Sequence, residues 1–407
     1  RYTDNPATVT SASWTSPATT FPTQYNVALA CNGNTLYALP STSAFEVTTI
    51  YKSTNGGANW AATTATPAFT SGQAWYCMAV AIDPNLCQGC AACALACPTG
   101  AVSFAAPSSG DLSARMHSAL ADVAASRPVK TLVVHTPANA AAMKVLPAGV
   151  QGIEVPAIAA FGDELWFGAF AAGAQALYLL DDATITPRTR ALLQSKVSQA
   201  QALLEASGCD GCLIDLVSAD GLAAAMDAHP SAAVCRAGAT YGDTIDSSKR
   251  KATNAALAML IGERRGAPTP LPLGATFGAV LVDRRDCTVC LACTHLCPTG
   301  ALSGQAEPKS TLSFLESACV QCGLCVAGCP EHAIILAPRL DPAAVVESRA
   351  QVVAEDDMFP CAECGTRFIG RRVLMRSMEL LQRQPAFAGA PTKTLSLCME
   401  CRARLMF

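Results

Sequence analysis

The chain has 407 residues, a net charge of −3 and 14% charged residues, against 51% hydrophobic residues and 21 cysteines. That length and apolar content suffice for two to four domains with real cores, while so slight a charge gives no basic footprint for nucleic acid. Most of the cysteines stand in metal-ligating spacings rather than a secreted disulfide pattern, so a reducing, cytoplasmic setting is expected, with cluster insertion before export as the alternative. Arg1 opens no secretory n-region or h-region, and a start without Met reads as incomplete. The longest apolar stretch, 165–180, is broken by Gly168, Gly173 and Gln175 and falls short of the ~20 apolar residues of a span. It predicts a buried helix followed by a core strand, and no transmembrane segment.

Residues 1–84 are rich in Thr, Ser, Ala and Asn, with β-type runs such as Val27-Ala-Leu-Ala, Thr35-Leu-Tyr-Ala-Leu and Val47-Thr-Thr-Ile-Tyr. Ser53-Thr-Asn-Gly-Gly-Ala-Asn-Trp60 resembles an Asp-box, S-x-D-x-G-x-x-W, with Asn55 in place of the acid. The resemblance implies a β-propeller hairpin in which the polar side chain pins the turn, glycine takes positive φ and Trp60 packs between strands. A closed propeller needs ~4 or more blades, and this stretch is too short for that. An all-β propeller-like fragment is expected, with no catalytic residue.

At Cys87 the pattern changes. Cys87-Gln-Gly-Cys90-Ala-Ala-Cys93-Ala-Leu-Ala-Cys97-Pro98 is a C-x2-C-x2-C-x3-C-P run. That spacing wraps three thiolates around one corner of a [4Fe–4S] cubane and turns the fourth toward a neighbouring cluster. Residues 85–108 therefore predict a cluster on Cys87, Cys90 and Cys93, with Cys97 serving another. The run is alone, so its cluster needs a ligand from elsewhere: Cys77, Cys31, or the trio Cys209, Cys212 and Cys235. A partner run belongs upstream, where the β-type stretch stands. Residues 1–84 then read as joined to a truncated polyferredoxin by gene fusion or by faulty assembly of the sequence, and an uninterrupted transcript across codons 80–90 would exclude the latter.

From 111 to 274 strands and helices alternate. Strands are expected at 129–135, 152–155 and 176–180, and helices at 139–146, 163–173 and 187–206, the last with Pro187 in its first turn. They predict a small parallel α/β layer. Gly152-Ile-Glu-Val-Pro156 and Ala169-Phe-Ala-Ala-Gly-Ala-Gln-Ala-Leu-Tyr-Leu-Leu180 resemble the small iron–sulfur subunit of methyl-viologen-reducing hydrogenases. That family carries cluster cysteines at its strand ends. Here those positions hold His135, Pro156-Ala157 and Asp181-Asp182, so the fold is carried over and the cluster is not. No G-x-G-x-x-G or G-x-x-x-x-G-K-[ST] occurs. Cys209-Asp-Gly-Cys212 reads as a redox-active or metal-binding pair, as two more ligands with Cys235, or as incidental thiols. The basic 246–265 helix, with Lys249-Arg-Lys251, reads as a linker with solvated ends in preference to a docking face for an acidic partner.

Two further runs follow. Cys287-Thr-Val-Cys290-Leu-Ala-Cys293-Thr-His-Leu-Cys297-Pro and Cys319-Val-Gln-Cys322-Gly-Leu-Cys325-Val-Ala-Gly-Cys329-Pro repeat the same spacing. The exchange of fourth cysteines assigns Cys287, Cys290, Cys293 and Cys329 to one [4Fe–4S] cluster and Cys319, Cys322, Cys325 and Cys297 to the other. Zinc sites use paired C-x2-4-C units instead. The segments Cys-Pro-Thr-Gly-Ala (297–301) and Cys-Pro-Glu-His-Ala-Ile (329–334) resemble bacterial two-cluster ferredoxins. The resemblance implies a pseudo-twofold βαβ–βαβ module at 278–340, with short strands at 301–302 and 333–336 shielding the clusters. His295 and His332 read as loop histidines beside the clusters.

Residues 338–358 read as a connector. In the 355–407 tail, Cys361-Ala-Glu-Cys364 and Cys398-Met-Glu-Cys401 are paired C-x2-C units flanking a basic amphipathic helix, with Val373, Leu374, Met378 and Leu381 on its apolar side. Four such thiolates suit a closed zinc site, with an iron–sulfur cluster as the alternative. From about residue 85 the order of parts resembles a proteobacterial polyferredoxin family associated with formate dehydrogenases. The resulting expectation is an α+β multidomain electron carrier, not itself an enzyme, relaying electrons for a dehydrogenase or hydrogenase-type redox partner. An iron–sulfur assembly or maturation factor is the alternative.

Overall fold

The computed structural model describes residues 27–32, 35–40, 51–54, 59–62, 87–104, 106–120, 131–228, 248–264, 266–385 and 392–406. The chain divides between Gln88 and Gly89 into two units. In the first, β1 (Val27–Asn32), β2 (Thr35–Pro40), β3 (Tyr51–Ser53) and β4 (Ala61–Ala62) form an antiparallel sheet in that order. β1 and β2 pair in register from Val27 with Pro40 to Asn32 with Thr35. Lys52 pairs with Ala61, and of the residues between β3 and β4, 55–58 lie outside the described residues.

The second unit opens on α1 (Ala92–Ala96) and α2 (Ser109–Leu120). Its parallel sheet holds β5 (Thr131–His135), β6 (Val150–Glu154), β7 (Ala176–Asp181) and β8 (Leu213–Ser218) in the order β6-β5-β7-β8. Between β6 and β7 lies α3 (Asp163–Ala171), and between β7 and β8 lies α4 (Pro187–Ala206), the crossovers that parallel strands require. Strand β7 is buried on both faces: Leu177 and Leu179 pack with Trp166, Phe170 and Leu193, while Ala176, Tyr178 and Leu180 pack with Val133 and Leu222. The helix and strand expected in 165–180 are α3 and β7. α3 is buried along almost its whole length, as an all-round apolar helix must be. Pro187 at the first turn and the Thr186 hydroxyl, which accepts from Thr189 N at 3.2 Å, start α4.

Two expectations fail in this region. Residues 139–146 form two short 3-10 turns, Pro137–Asn139 and Ala142–Val145, because the run between Pro137 and Pro147 is too short to sustain an isolated helix. After α5 (Leu222–Ala228), the basic helix α6 (Lys249–Ile261) is no solvated linker. It packs along α3 and buries Arg250, Ala252, Ala256, Leu257 and Leu260.

The ferredoxin-type region follows with β9 (Thr269–Pro270), β10 (Gly278–Val282), α7 (Ala292–Leu296), β11 (Leu302–Gln305), β12 (Ser310–Phe314), α8 (Leu324–Ala327) and β13 (Ile334–Leu340). Its two halves exchange strands. β10, ahead of the second cysteine run, pairs antiparallel with β13 behind the third (Val280 with Leu336). β11, behind the second, pairs with β12 ahead of the third (Leu302 with Phe314). Strands expected after each run are thus β11 and β13.

The 338–358 segment is not a plain connector. Asp341 Oδ1 accepts from Ala343 N (3.0 Å) and Ala344 N (3.4 Å), capping α9 (Pro342–Glu347), and β14 (Gln351–Asp356) adds antiparallel to β12. Burial of Ala354 against the ferredoxin core outweighs the polar neighbours that made the stretch look loose. A hairpin of β15 (Met358–Pro360) and β16 (Arg367–Gly370), then α10 (Arg371–Gln382) and α11 (Met399–Met406), complete the unit. On α10, Leu374 is buried, and Val373, Met378 and Leu381 are half-buried. No helix among the described residues is long and apolar enough to cross a membrane.

Candidate metal centres

The three cysteine runs fold alike. Each holds its third and fifth residues in the left-handed region: Gly89 and Ala91 (φ 64° and 58°), Val289 and Leu291 (54° and 62°), Gln321 and Gly323 (55° and 79°). A further left-handed residue stands three after each final cysteine, at Gly100, Gly300 and His332. Alternating hands curl the backbone so that successive N–H groups face one concavity, the geometry of an anion nest. Val289 holds this conformation at a cost of about 1–3 kcal/mol. Its surroundings enforce it, since the residue is buried and its carbonyl accepts the Ser310 hydroxyl at 3.2 Å. His332 therefore serves as a turn residue where the other two runs use glycine.

The strand exchange brings the thiols of the second and third runs together in two sets. Cys287, Cys290, Cys293 and Cys329 line one small cavity of about 20 Å³, closed by Val289, Leu312 and Ile334. Cys325 is within electrostatic reach of Cys319, Cys322 and Cys297, and Cys293 is within reach of Cys325, so the sets are neighbours. Burial first, and the surrounding thiols second, push Cys293 up to about 12 and Cys325 up to about 11. Burial likewise raises Cys287 and Cys319, against the backbone N–H groups of Val289 and Gln321. Thiols so close and so dry cannot ionise together without a cation among them, and the thiolate is the metal-binding form. N–H groups also point at the sulfurs: Gln321 N (3.5 Å) and Nε2 (3.4 Å) at Cys319 Sγ, and Ala333 N (3.4 Å) at Cys329 Sγ. Sulfur donors, aimed N–H groups and an apolar lid fit an anionic iron–sulfur cluster.

In the first run, α1 packs against the 3-10 turn Ile158–Ala160 and against α4, with Leu95 fully buried. Burial works to raise the Cys97 thiol, but the Thr99 hydroxyl and the N–H groups of Val102, Thr99 and Ala101 outweigh it and lower its pKa. The division between the units falls inside this run, with Cys87 in the first unit and Cys90, Cys93 and Cys97 in the second. Among the candidates for the missing ligand, Cys77 and Cys235 lie outside the described residues, and Cys31 is on β1. Cys212 is disulfide-bonded, whereas Cys209 is a free buried thiol that burial pushes up. Cys209 and Cys212 therefore do not form a C-x-x-C couple, and Cys212 is not free to ligate.

Three basic residues meet the cysteine loops. Lys249 Nζ donates to Ala94 O (3.0 Å) and Leu95 O (3.4 Å) and is paired with Asp163 (2.8 Å) and Glu164 (3.5 Å). Arg250 donates to Cys319 O (2.7 Å), Ser317 O (2.9 Å) and Thr276 O (3.1 Å), and its guanidinium lies 3.6 Å from the Phe277 ring centre. Burial lowers it to about 10, which leaves it charged at neutral pH. Arg372 donates to Cys287 O (3.2 Å). The sequence displayed the Lys249-Arg-Lys251 trio but gave no sign that two of its members are enclosed. Burial pushes Asp163 up, yet Lys249 and Lys196 outweigh it and hold the carboxyl below its ordinary value, while burial leads in raising Glu164. Asp163 therefore contributes stability above its ordinary pKa and loses it as the pH falls, and Glu164 the reverse as the pH rises. Lys249→Met strands Glu164 and removes the nearer of Asp163's two lysines, and is expected to cost about 3–5 kcal/mol, read from the urea midpoint. An unchanged midpoint would show the pair to be unimportant.

In the tail, Cys361, Cys364, Cys398 and Cys401 bring their sulfurs within 4.8 Å of one another, the one such donor group among the described residues. Cys364 Sγ and Cys398 Sγ are 3.7 Å apart. Tetrahedral ligation at the ~2.3 Å zinc–sulfur distance implies an edge of about 3.8 Å. The Cys364 N–H leads in lowering Cys361 to about 6, while burial and neighbouring thiols raise Cys401. This four-sulfur group fits a single metal ion.

Residues 286–334 match the family profile described as 4Fe-4S dicluster domain, and residues 80–103 match the 4Fe-4S binding domain. The chain thus carries two ferredoxin-type 4Fe–4S segments, which define an iron–sulfur protein of the electron-transfer class. No curated protein matches it.

Proposed function

We propose that the chain is a polyferredoxin that relays electrons between a dehydrogenase or hydrogenase-type complex and an acceptor. Formate dehydrogenase is the partner that the order of parts favours. In this reading Cys287, Cys290, Cys293 and Cys329 hold one [4Fe–4S] cluster and Cys319, Cys322, Cys325 and Cys297 hold its neighbour. Cys87, Cys90 and Cys93 take part in a third, Cys97 is an N–H-stabilised ligand beside it, and the four tail cysteines bind zinc. When bound, each cluster supplies one-electron storage. The chain's residues bury the clusters, space them and set the charge around them. The observation that carries the reading is the shared left-handed wrap of all three runs, including Val289, where glycine would be easier. A maturation factor carrying sulfur on Cys209 has less support, since that thiol is buried and raised and Cys212 is disulfide-bonded. A cytoplasmic location is part of this proposal, because the cluster-ligating thiols need a reducing setting.

Iron, sulfide and zinc per chain, measured on anaerobically purified protein, test this. About twelve irons with one zinc are expected for three clusters. About eight would remove the third cluster, and none would remove the proposal.

A further inference from the structure

The arginines at the two thiol sets differ in a way that bears on where an electron rests. Arg250 and Arg372 each donate to the carbonyl of the first cysteine of a run, Cys319 and Cys287, from elements outside the cysteine loops. Their surroundings are unlike. Arg372 is 44% exposed in its side chain and has Asp356 at 3.7 Å. Arg250 is 6% exposed, and among the described residues no carboxylate lies within 4.0 Å of it. Nearby acids are committed elsewhere: Asp163 to Lys249 and Lys196, and Glu316 to Arg339 through two contacts of 2.7 and 3.0 Å. Three carbonyls and a ring face satisfy the Arg250 guanidinium, yet none neutralises it. A buried cation with no counter-ion is costly, and an anionic cluster on the adjoining thiols would supply one. Around the other set the balance is less positive, since Glu331 lines its cavity and is held by Arg376 at 3.0 Å.

We propose that Arg250 is the counter-charge that makes the cluster on Cys297, Cys319, Cys322 and Cys325 the higher-potential member of the pair, so that an electron entering the two-cluster module rests there. This rests on the ligand assignment above. Reduction adds one negative charge to a cluster, and a fixed cation stabilises that charge far more in a dry site than across solvent. Lys249, the preceding residue of α6, is already neutralised where it meets the first run, so Arg250 draws the electron from that side as well. Arg250 is a positioning charge and touches no reacting atom.

The test is an EPR-monitored potential titration of the full chain, comparing the parent with Arg250→Gln, Arg250→Lys and Arg372→Gln. Arg250→Gln is expected to lower the higher reduction step at least tenfold in equilibrium constant, which is about 59 mV for one electron, and to leave the lower step within threefold. Arg250→Lys keeps the charge and should hold the higher step within threefold of the parent. Arg372→Gln should move the lower step, and by less. Equal movement of both steps by Arg250→Gln, movement of neither, or a lysine variant that behaves like the glutamine one would overturn the proposal. If Arg250→Gln fails to hold clusters, the lysine variant and the parent decide. Added salt screens the exposed Arg372 and should shift the lower step more than the higher, and equal shifts would count against Arg250. A parent without reducible iron would instead remove the ligand assignment.

Discussion

Cys329→Ala protein is expected to lose about four irons, and the cluster lost should be that of the preceding run, not that of its own. Cys329 follows Cys325 closely in sequence, yet it lines the cavity of Cys287, Cys290 and Cys293. Strand exchange is the cause: β10 and β13 pair, so the chain leaving the third run returns beside the start of the second. A second substitution separates the alternatives. Adding Cys322→Ala should remove about four more irons, because Cys322 belongs to the intact set with Cys297, Cys319 and Cys325. If each run held its own cluster, the double variant would keep as much iron as Cys329→Ala alone, and the exchange assignment would be wrong. The mirror experiment with Cys297→Ala and Cys290→Ala should behave in the same way.

Removing the metal proposed for the tail should have the second largest effect. Among the described residues, the apolar cluster around Cys361, Cys398 and Cys401 adds Leu397 and the half-buried Phe368, too little to order the tail by itself. Structural zinc contributes about 10–16 kcal/mol to folding in small finger peptides. Cys401→Ser, or chelation of the parent, is therefore expected to make the segment beyond about residue 357 sensitive to protease. Zinc content should fall by about one per chain with iron unchanged. Iron falling instead would make the tail an iron–sulfur site, and unchanged protease resistance would show that the ion does not hold the tail. α10 gives an internal control. Arg372 ties it to the ferredoxin-type region through Asp356 and Cys287 O, so the helix should resist cleavage longer than the Cys398–Cys401 end.

The cysteine runs were legible because their chemistry is local. Spacings of two and three residues, with a proline after the last cysteine, specify a loop wherever they occur, and the same left-handed wrap appears in all three. The continuous apolar run in 176–180 and the proline at 187 likewise placed β7 and α4 to within a residue. β14 was missed because a short strand with polar residues is defined by its partner, and β12 lies some forty residues upstream. Likewise, the disulfide at Cys212 cannot be read from a C-x-x-C spacing.

By itself, the sequence determined which atoms offer themselves to metals and how the backbone curls to present them, since both depend on neighbours within a dozen residues. Only the tertiary structure decided the charge around them. Lys249 reaches Ala94 across 155 positions, and Arg250 reaches Cys319 across 69. Such contacts arise from α6 packing on α3, which buries one face of a helix whose composition looked solvated. Burial converts an ordinary surface cation into a strong local field, and burial is a property of the packed chain and not of any stretch of it.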